Sequence, residues 1–200
     1  MGMKYKTLKQ LVDKKINVHS FESISELDEL LKYADENAKF SMRFDRDKDY
    51  YQLPFYKFNN EVFESDEIKI EYLTNIMDEA KRLNCTILCA NGYLYDDIQI
   101  CNFVIKIDQK ANFILEYSTK KVPLREMYEY KTTIIKGNIK DSLREMEWIG
   151  KNENKLDDRS IEKMIDWAFK LNVTNKNIEA TLYPTKVGML KENVVCWQID

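Results

Sequence analysis

Glycine is scarce in this chain. Five glycines stand among 200 residues, at positions 2, 92, 137, 150 and 188. They leave no Gly-x-x-x-x-Gly-Lys run and no Gly-x-Gly-x-x-Gly run, so phosphate cradling by either kind of glycine loop is excluded. Histidine is scarcer still. His19 is the single one, which argues against a histidine dyad or a metal–histidine cluster. A lone histidine at the edge of a strand is ordinarily structural. The four cysteines (Cys85, Cys89, Cys101, Cys196) contain no Cys-x-x-Cys pair. Three of them fall in strand-like runs and read as buried, reduced thiols of a cytoplasmic protein. No apolar run approaches the roughly 20 residues of a membrane-spanning helix. The start MGMKYKTLKQ lacks the apolar segment of a secretory signal. Charge of one sign is also lacking. Residues 1–100 carry 14 basic and 19 acidic side chains and residues 101–200 carry 17 and 15. Neither half is basic enough to hold nucleic acid by charge, so nucleic acid is not an expected partner.

What is present is a core. The chain is 44% hydrophobic and 12% aromatic, a composition of packed globules rather than disorder. Its length suits one α+β domain over 1–200, with room for a small N-terminal helical lobe over 1–39. The wealth of Lys, Asn, Ile and Tyr points to an AT-rich coding sequence of bacterial or phage type.

The centre of the chain is CTILCANGYLYDDIQICNFVIKIDQKANFILEYS, residues 85–118. Asn91-Gly92 between apolar runs is a hairpin signal, because a type I′ turn needs positive φ at both central residues. Phe103, Ile105 and Ile107 alternate with Val104, Lys106 and Asp108. Phe113, Leu115 and Tyr117 alternate with Ile114, Glu116 and Ser118. Period-two alternation marks strands with one buried face, and short links imply antiparallel neighbours. Upstream, residues 5–15 have helical spacing. Ser23-Ile24-Ser25-Glu26 reads as a capping box for a second helix, and Phe40–Asp45 as a strand. Residues 46–63 read as a long loop, with room for a short hairpin. Asp66 is expected to cap a helix that runs to Leu83. Downstream, Thr132–Ile135 reads as a strand, Asp141–Ile149 as a short helix and Ser160–Leu171 as a longer one. Asn177–Tyr183 and Asn193–Ile199 read as a closing hairpin. This order predicts an α+β fold, a mostly antiparallel sheet with helices packed mainly on one face.

Charged side chains inside strand runs are the candidates for chemistry. Arg43, Lys106, Glu116 and Glu179 all fall on the polar side of their strands, and Gln198 holds a similar position. If the strands share one sheet, the four charges cluster. Two carboxylates with a lysine and an arginine suit a divalent cation and a phosphate, since hard cations take oxygen ligands and Arg or Lys takes phosphate. Arg125, after Pro123, is a further candidate for the same anionic ligand. The outer face of an antiparallel sheet is also ordinarily solvated and mixed in charge. A second candidate surface is aromatic. Tyr50, Tyr51, Phe55 and Tyr56 in the segment 50–63 could dock a protein partner or a second copy of the chain, as in a non-catalytic accessory module. They could equally fold back as a minor core.

The order of elements resembles the ATP-grasp enzymes: a helix, FSMRFD, a helix, ICNFVIKIDQKANFILEYS, a helix and NIEATLYP. The resemblance covers residues 20–200 in order. It implies two α+β lobes gripping ATP, with strand lysines on the phosphates and acidic residues on magnesium. Lys106, Glu116 and Glu179 hold strand positions similar to such residues. The family's glycine-rich loop has no counterpart here, and its late Glu-x-Asn pair is matched only by Glu179-Ala180-Thr181. Two forms stay open: an enzyme that activates a phosphoryl or nucleotidyl group with magnesium, and a degenerate relative that binds without catalysing.

Overall fold

A computed structural model describes residues 2–47, 53–121, 124, 127, 130–150 and 155–200. Its elements run α1 (Met3–Asp13), β1 (Phe21–Ile24), α2 (Leu27–Glu36), β2 (Lys39–Asp45), β3 (Phe55–Asn59), α3 (Asp66–Arg82) and β4 (Thr86–Ala90). They continue with β5 (Cys101–Ile107), β6 (Asn112–Ser118), β7 (Thr133–Asn138), β8 (Glu147–Ile149), α4 (Asp158–Lys170), β9 (Asn177–Val187) and β10 (Glu192–Ile199). The strands form two antiparallel sheets, ordered β1-β4-β2-β3 and β10-β9-β5-β6-β7-β8. The fold is therefore α+β with antiparallel sheets. No helix among the described residues is long and apolar enough to cross a membrane.

The chain divides into two units. One contains Met1–Asp13 with His19–Tyr95, the other Lys14–Val18 with Asp96–Asp200.

In the first unit, alternation along β2 sends Phe40, Met42 and Phe44 to one face, where each is fully buried. Leu30 and Ala34 of α2 and Leu73, Ile76 and Met77 of α3 complete that core with Ile87 and Cys89 of β4. Each buried Phe or Leu contributes roughly 1.5–3 kcal/mol. The helix starts differ from the sequence expectation. Ser23 belongs to β1 and donates its hydroxyl to Thr86 Oγ1 at 3.2 Å, and α2 begins at Leu27 without a side-chain cap. Pairing of β1 with β4 buries Ile24, and that burial wins over the capping box. Ser65, not Asp66, caps α3 by accepting the Ile68 N–H.

The aromatic segment also differs. Residues 55–59 form β3, paired with β2, in place of a long loop. Phe58 is fully buried and stacks on Phe40. Tyr56 packs beside Phe44 and donates its hydroxyl to Glu79 Oε2. Tyr50 and Tyr51 lie outside the described residues. Asn91-Gly92 makes no hairpin. Neither residue has a positive φ, and 3₁₀ turns run from Asn91 to Ile98. The Asn91 side chain accepts from the Tyr33 hydroxyl at 2.7 Å and donates to Asn37 Oδ1 at 3.1 Å, so it is held as a bracket instead of a turn. Accordingly β4 pairs with β1 and β2 and has no ladder to β5.

In the second unit, Phe103, Ile105, Leu115, Tyr117, Ile178, Ala180 and Leu182 form the buried face of the sheet. Helix α4 packs on this side through Ile161, Met164, Ile165 and Ala168, with Trp167 edge-on to Phe103 at 5.9 Å. The β5–β6 turn is set by Asp108, whose carboxylate accepts the N–H groups of Lys110 and Asn112. The helix expected over Asp141–Ile149 is absent from these described residues. Ser142 and Glu145 close a single turn, after which Trp148 and Ile149 pair with Ile135 and Ile134 as β8. The closing hairpin forms as expected, around Gly188 at φ +86°.

Candidate functional site

Strand register places the charged candidates. Val104 of β5 faces Glu116 of β6 on one side and Glu179 of β9 on the other. All three point away from α4, because their neighbours Phe103, Tyr117 and Ala180 fill the core. The row extends to Gln198 opposite Glu179 and to Ile134 opposite Glu116. Two residues along the strand, the next row reads Asn177, Lys106, Ile114, Lys136 and Glu147 across β9, β5, β6, β7 and β8. Lys106 is thus diagonal to both Glu116 and Glu179, a separation of roughly 7–8 Å. Lys106 and Lys136 flank Ile114 at two strand spacings, roughly 10 Å.

The side chains differ in setting. Lys106 is exposed, whereas Glu116 and Glu179 are half-buried. Glu116 Oε1 accepts a hydrogen bond from Thr132 Oγ1 at 2.6 Å, which fixes that carboxylate just before β7 begins. Beside this row the face is polar and closed. Asn102 and Thr181 are buried and joined by a 2.6 Å hydrogen bond, and Thr181 Oγ1 also accepts from Trp197 Nε1 at 2.8 Å.

Three of the four clustered candidates therefore share one sheet face. The fourth, Arg43, sits on β2 between Leu88 and Phe55, in the sheet of the first unit. Arg125 lies outside the described residues. Lys136 was not among the sequence candidates. Its signal was the alternation of Ile134 and Lys136 with the buried Thr133 and Ile135, obscured by the irregular stretch before it.

A face of this kind can hold an anion between Lys106 and Lys136. A metal cage made by protein alone is another matter. Among the described residues no group of three or more His, Cys, Asp or Glu side chains converges on one point. Magnesium, however, is commonly held by one or two carboxylates together with substrate phosphates. One of the two glutamates beside a phosphate on Lys106 fits that donor set.

No protein-family signature matches the sequence, and no curated protein does. Solved structures do match. The RiPP-associated ATP-grasp ligase of Chryseobacterium gregarium, in complex with ADP and a leader and core peptide, aligns over 98% of this chain and 50% of its own, at 9% identity and a TM-score of 0.51. D-alanyl-alanine synthetase A of Vibrio cholerae aligns over 98% of this chain and 54% of its own, at 8% identity and a TM-score of 0.49. The macrocyclase MdnC of Microcystis aeruginosa, bound with its precursor peptide MdnA, aligns over 98% and 51%, at 12% identity and a TM-score of 0.44. The chain resembles ATP-grasp ligases in fold and spans about half their length.

Proposed function

We propose that this chain binds a nucleotide polyphosphate, or a closely similar anionic small molecule, on the face of its second sheet that is turned away from α4. Lys106 and Lys136 take the phosphates. Glu179, with Glu116 beside it, faces the magnesium that accompanies them. The observation that carries this reading is the position of Lys106, diagonal to both half-buried carboxylates on one sheet face. The fold supports it: the Chryseobacterium ligase, whose half this chain resembles, is a complex with ADP. Magnesium, when bound, supplies positive charge that neutralises the phosphates. The protein's own part is to orient them, because a lysine offers a mobile point charge and a strand sets its origin. Arg43 has no part in this reading.

Titration with ADP, with and without magnesium, followed by backbone NMR tests the reading. The amides of residues 104–106, 116, 136 and 179 are expected to shift together and to saturate. Saturable shifts confined to other strands would overturn it.

A further inference from the structure

The second unit carries a groove of about 610 Å³ between α4, residues 15–16 and the β9–β10 hairpin. It lies on the α4 side of the sheet, whereas Val104 and Glu179 point to the other side, so the groove is separate from the Lys106 face. Five cations line it: Lys15, Arg159, Lys163, Lys170 and Lys186. Three carboxylates accompany them, Glu162, Asp166 and Glu192, which leaves an excess of positive charge. Among the described residues none of the five cations makes an ion pair.

On α4 the charges are mixed: Glu162 and Asp166 stand three residues from Arg159 and Lys163, and Asp166 four from Lys170. Arg159 and Lys163 are four residues apart on one helix face, where like charges repel. Loss of water around its ammonium, and then the Arg159 guanidinium, hold Lys163 below the ordinary lysine range. Between the cations the lining turns apolar, with Ile16, the half-buried Trp167 and the buried Val194. Charge without partners around an apolar floor is the make-up of a ligand site.

We propose that this groove binds a small organic polyanion, two or more negative charges on a planar body that lies against Trp167. The volume is that of a small-molecule site. The cations come from three separate chain segments and surround one space, whereas an extended acidic peptide would be matched by a linear stripe. An inorganic anion would satisfy the cations and leave the apolar floor wet.

The test uses 1-naphthyl phosphate as probe and the Trp167 indole N–H signal in NMR as readout, assigned through Trp167→Phe. The probe is expected to move that signal saturably and to bind at least about tenfold more tightly than inorganic phosphate. Lys163→Gln and Lys186→Gln, both at exposed positions, are each expected to weaken binding by about tenfold, the scale of one charge-assisted hydrogen bond. Lys106→Gln is expected to leave it unchanged. The proposal fails if the signal does not move at millimolar probe, or if binding survives in the Lys163→Gln/Lys186→Gln double variant with an unchanged melting temperature. It fails also if inorganic phosphate binds as tightly, or if a polyglutamate peptide displaces the probe at lower concentration than the probe itself requires. Loss of binding in Lys106→Gln would place the probe on the opposite face and would equally overturn it.

Discussion

The buried carboxylate of Asp45, at the end of β2, accepts the backbone N–H of Lys4 at 3.0 Å. Its second oxygen accepts the N–H of Tyr5 at 2.9 Å. Both donors belong to the first turn of α1, whose N–H groups have no partner within the helix. A residue about 40 positions away in sequence thus caps the helix and ties it to the sheet. The approach is so close that a Cβ on Gly2 would overlap the Asp45 carboxylate.

Asp45→Ala is therefore expected to destabilise the protein by about 1–2 kcal/mol, the usual cost of a lost helix cap. At this chain length that corresponds to a fall of roughly 2–8 °C in melting temperature. Asp45→Asn, which keeps one acceptor, is expected to lose less. Equal melting temperatures for wild type and Asp45→Ala would remove the cap from the account.

Asn17 performs a similar task in the second unit. Its fully buried amide donates to the carbonyls of Val187 at 2.7 Å and Val194 at 3.0 Å, and its Oδ1 accepts the Leu190 N–H at 2.8 Å. It thereby holds both sides of the β9–β10 turn. Asn17→Ala removes these buried bonds together and is expected to cost about 2–3 kcal/mol. Asn17→Asp turns an acceptor toward two carbonyls and is expected to cost more. The direct readout is hydrogen exchange at Leu190, which should speed up in both variants. Unchanged exchange there would show that the turn stands without Asn17.

These two hubs show where sequence reading stops. Strands β2, β5, β6 and β9 were legible because one face of each meets a core, and burial forces the period-two pattern that residues such as Phe40, Met42 and Phe44 display. The shared face of Lys106, Glu116 and Glu179 followed from the same alternation. Asp45 and Asn17 were not legible, because their partners are 40 or more and 170 or more residues away, respectively, and polar residues carry no period. Asn91-Gly92 misled for a related reason: its local preference for a turn yields to hydrogen bonds from Tyr33 and to Asn37. The same holds for Ser23, which the β1–β4 ladder takes from its capping role. Arg43 does not share a sheet with the other charges, because strand order, which alternation does not encode, puts β2 in the four-stranded sheet.

His19 makes stability depend on pH. It is buried against Tyr95, stacked at 5.2 Å, and burial pushes its pKa down to about 3. In the unfolded chain it titrates near 6.5. Below that pH the unfolded state binds a proton that the folded state refuses, so stability falls as pH drops from about 6.5 toward 3. Between pH 7 and pH 5 this one group is expected to remove about 2 kcal/mol. Urea unfolding of wild type and His19→Gln at both pH values measures the difference. A loss of equal size in the variant would show that His19 is not its source.

The central claim is that Lys106 and Glu179 share one nucleotide-binding face, and a thermal melt with ATP and magnesium tests it most directly. At 100 times its dissociation constant the ligand is expected to stabilise the protein by about 2.7 kcal/mol, a rise of several degrees. The rise should need both components, and it should vanish in Lys106→Gln and Glu179→Gln variants that melt normally without ligand. An unchanged melting temperature in wild type, or a full rise in both variants, would contradict the account.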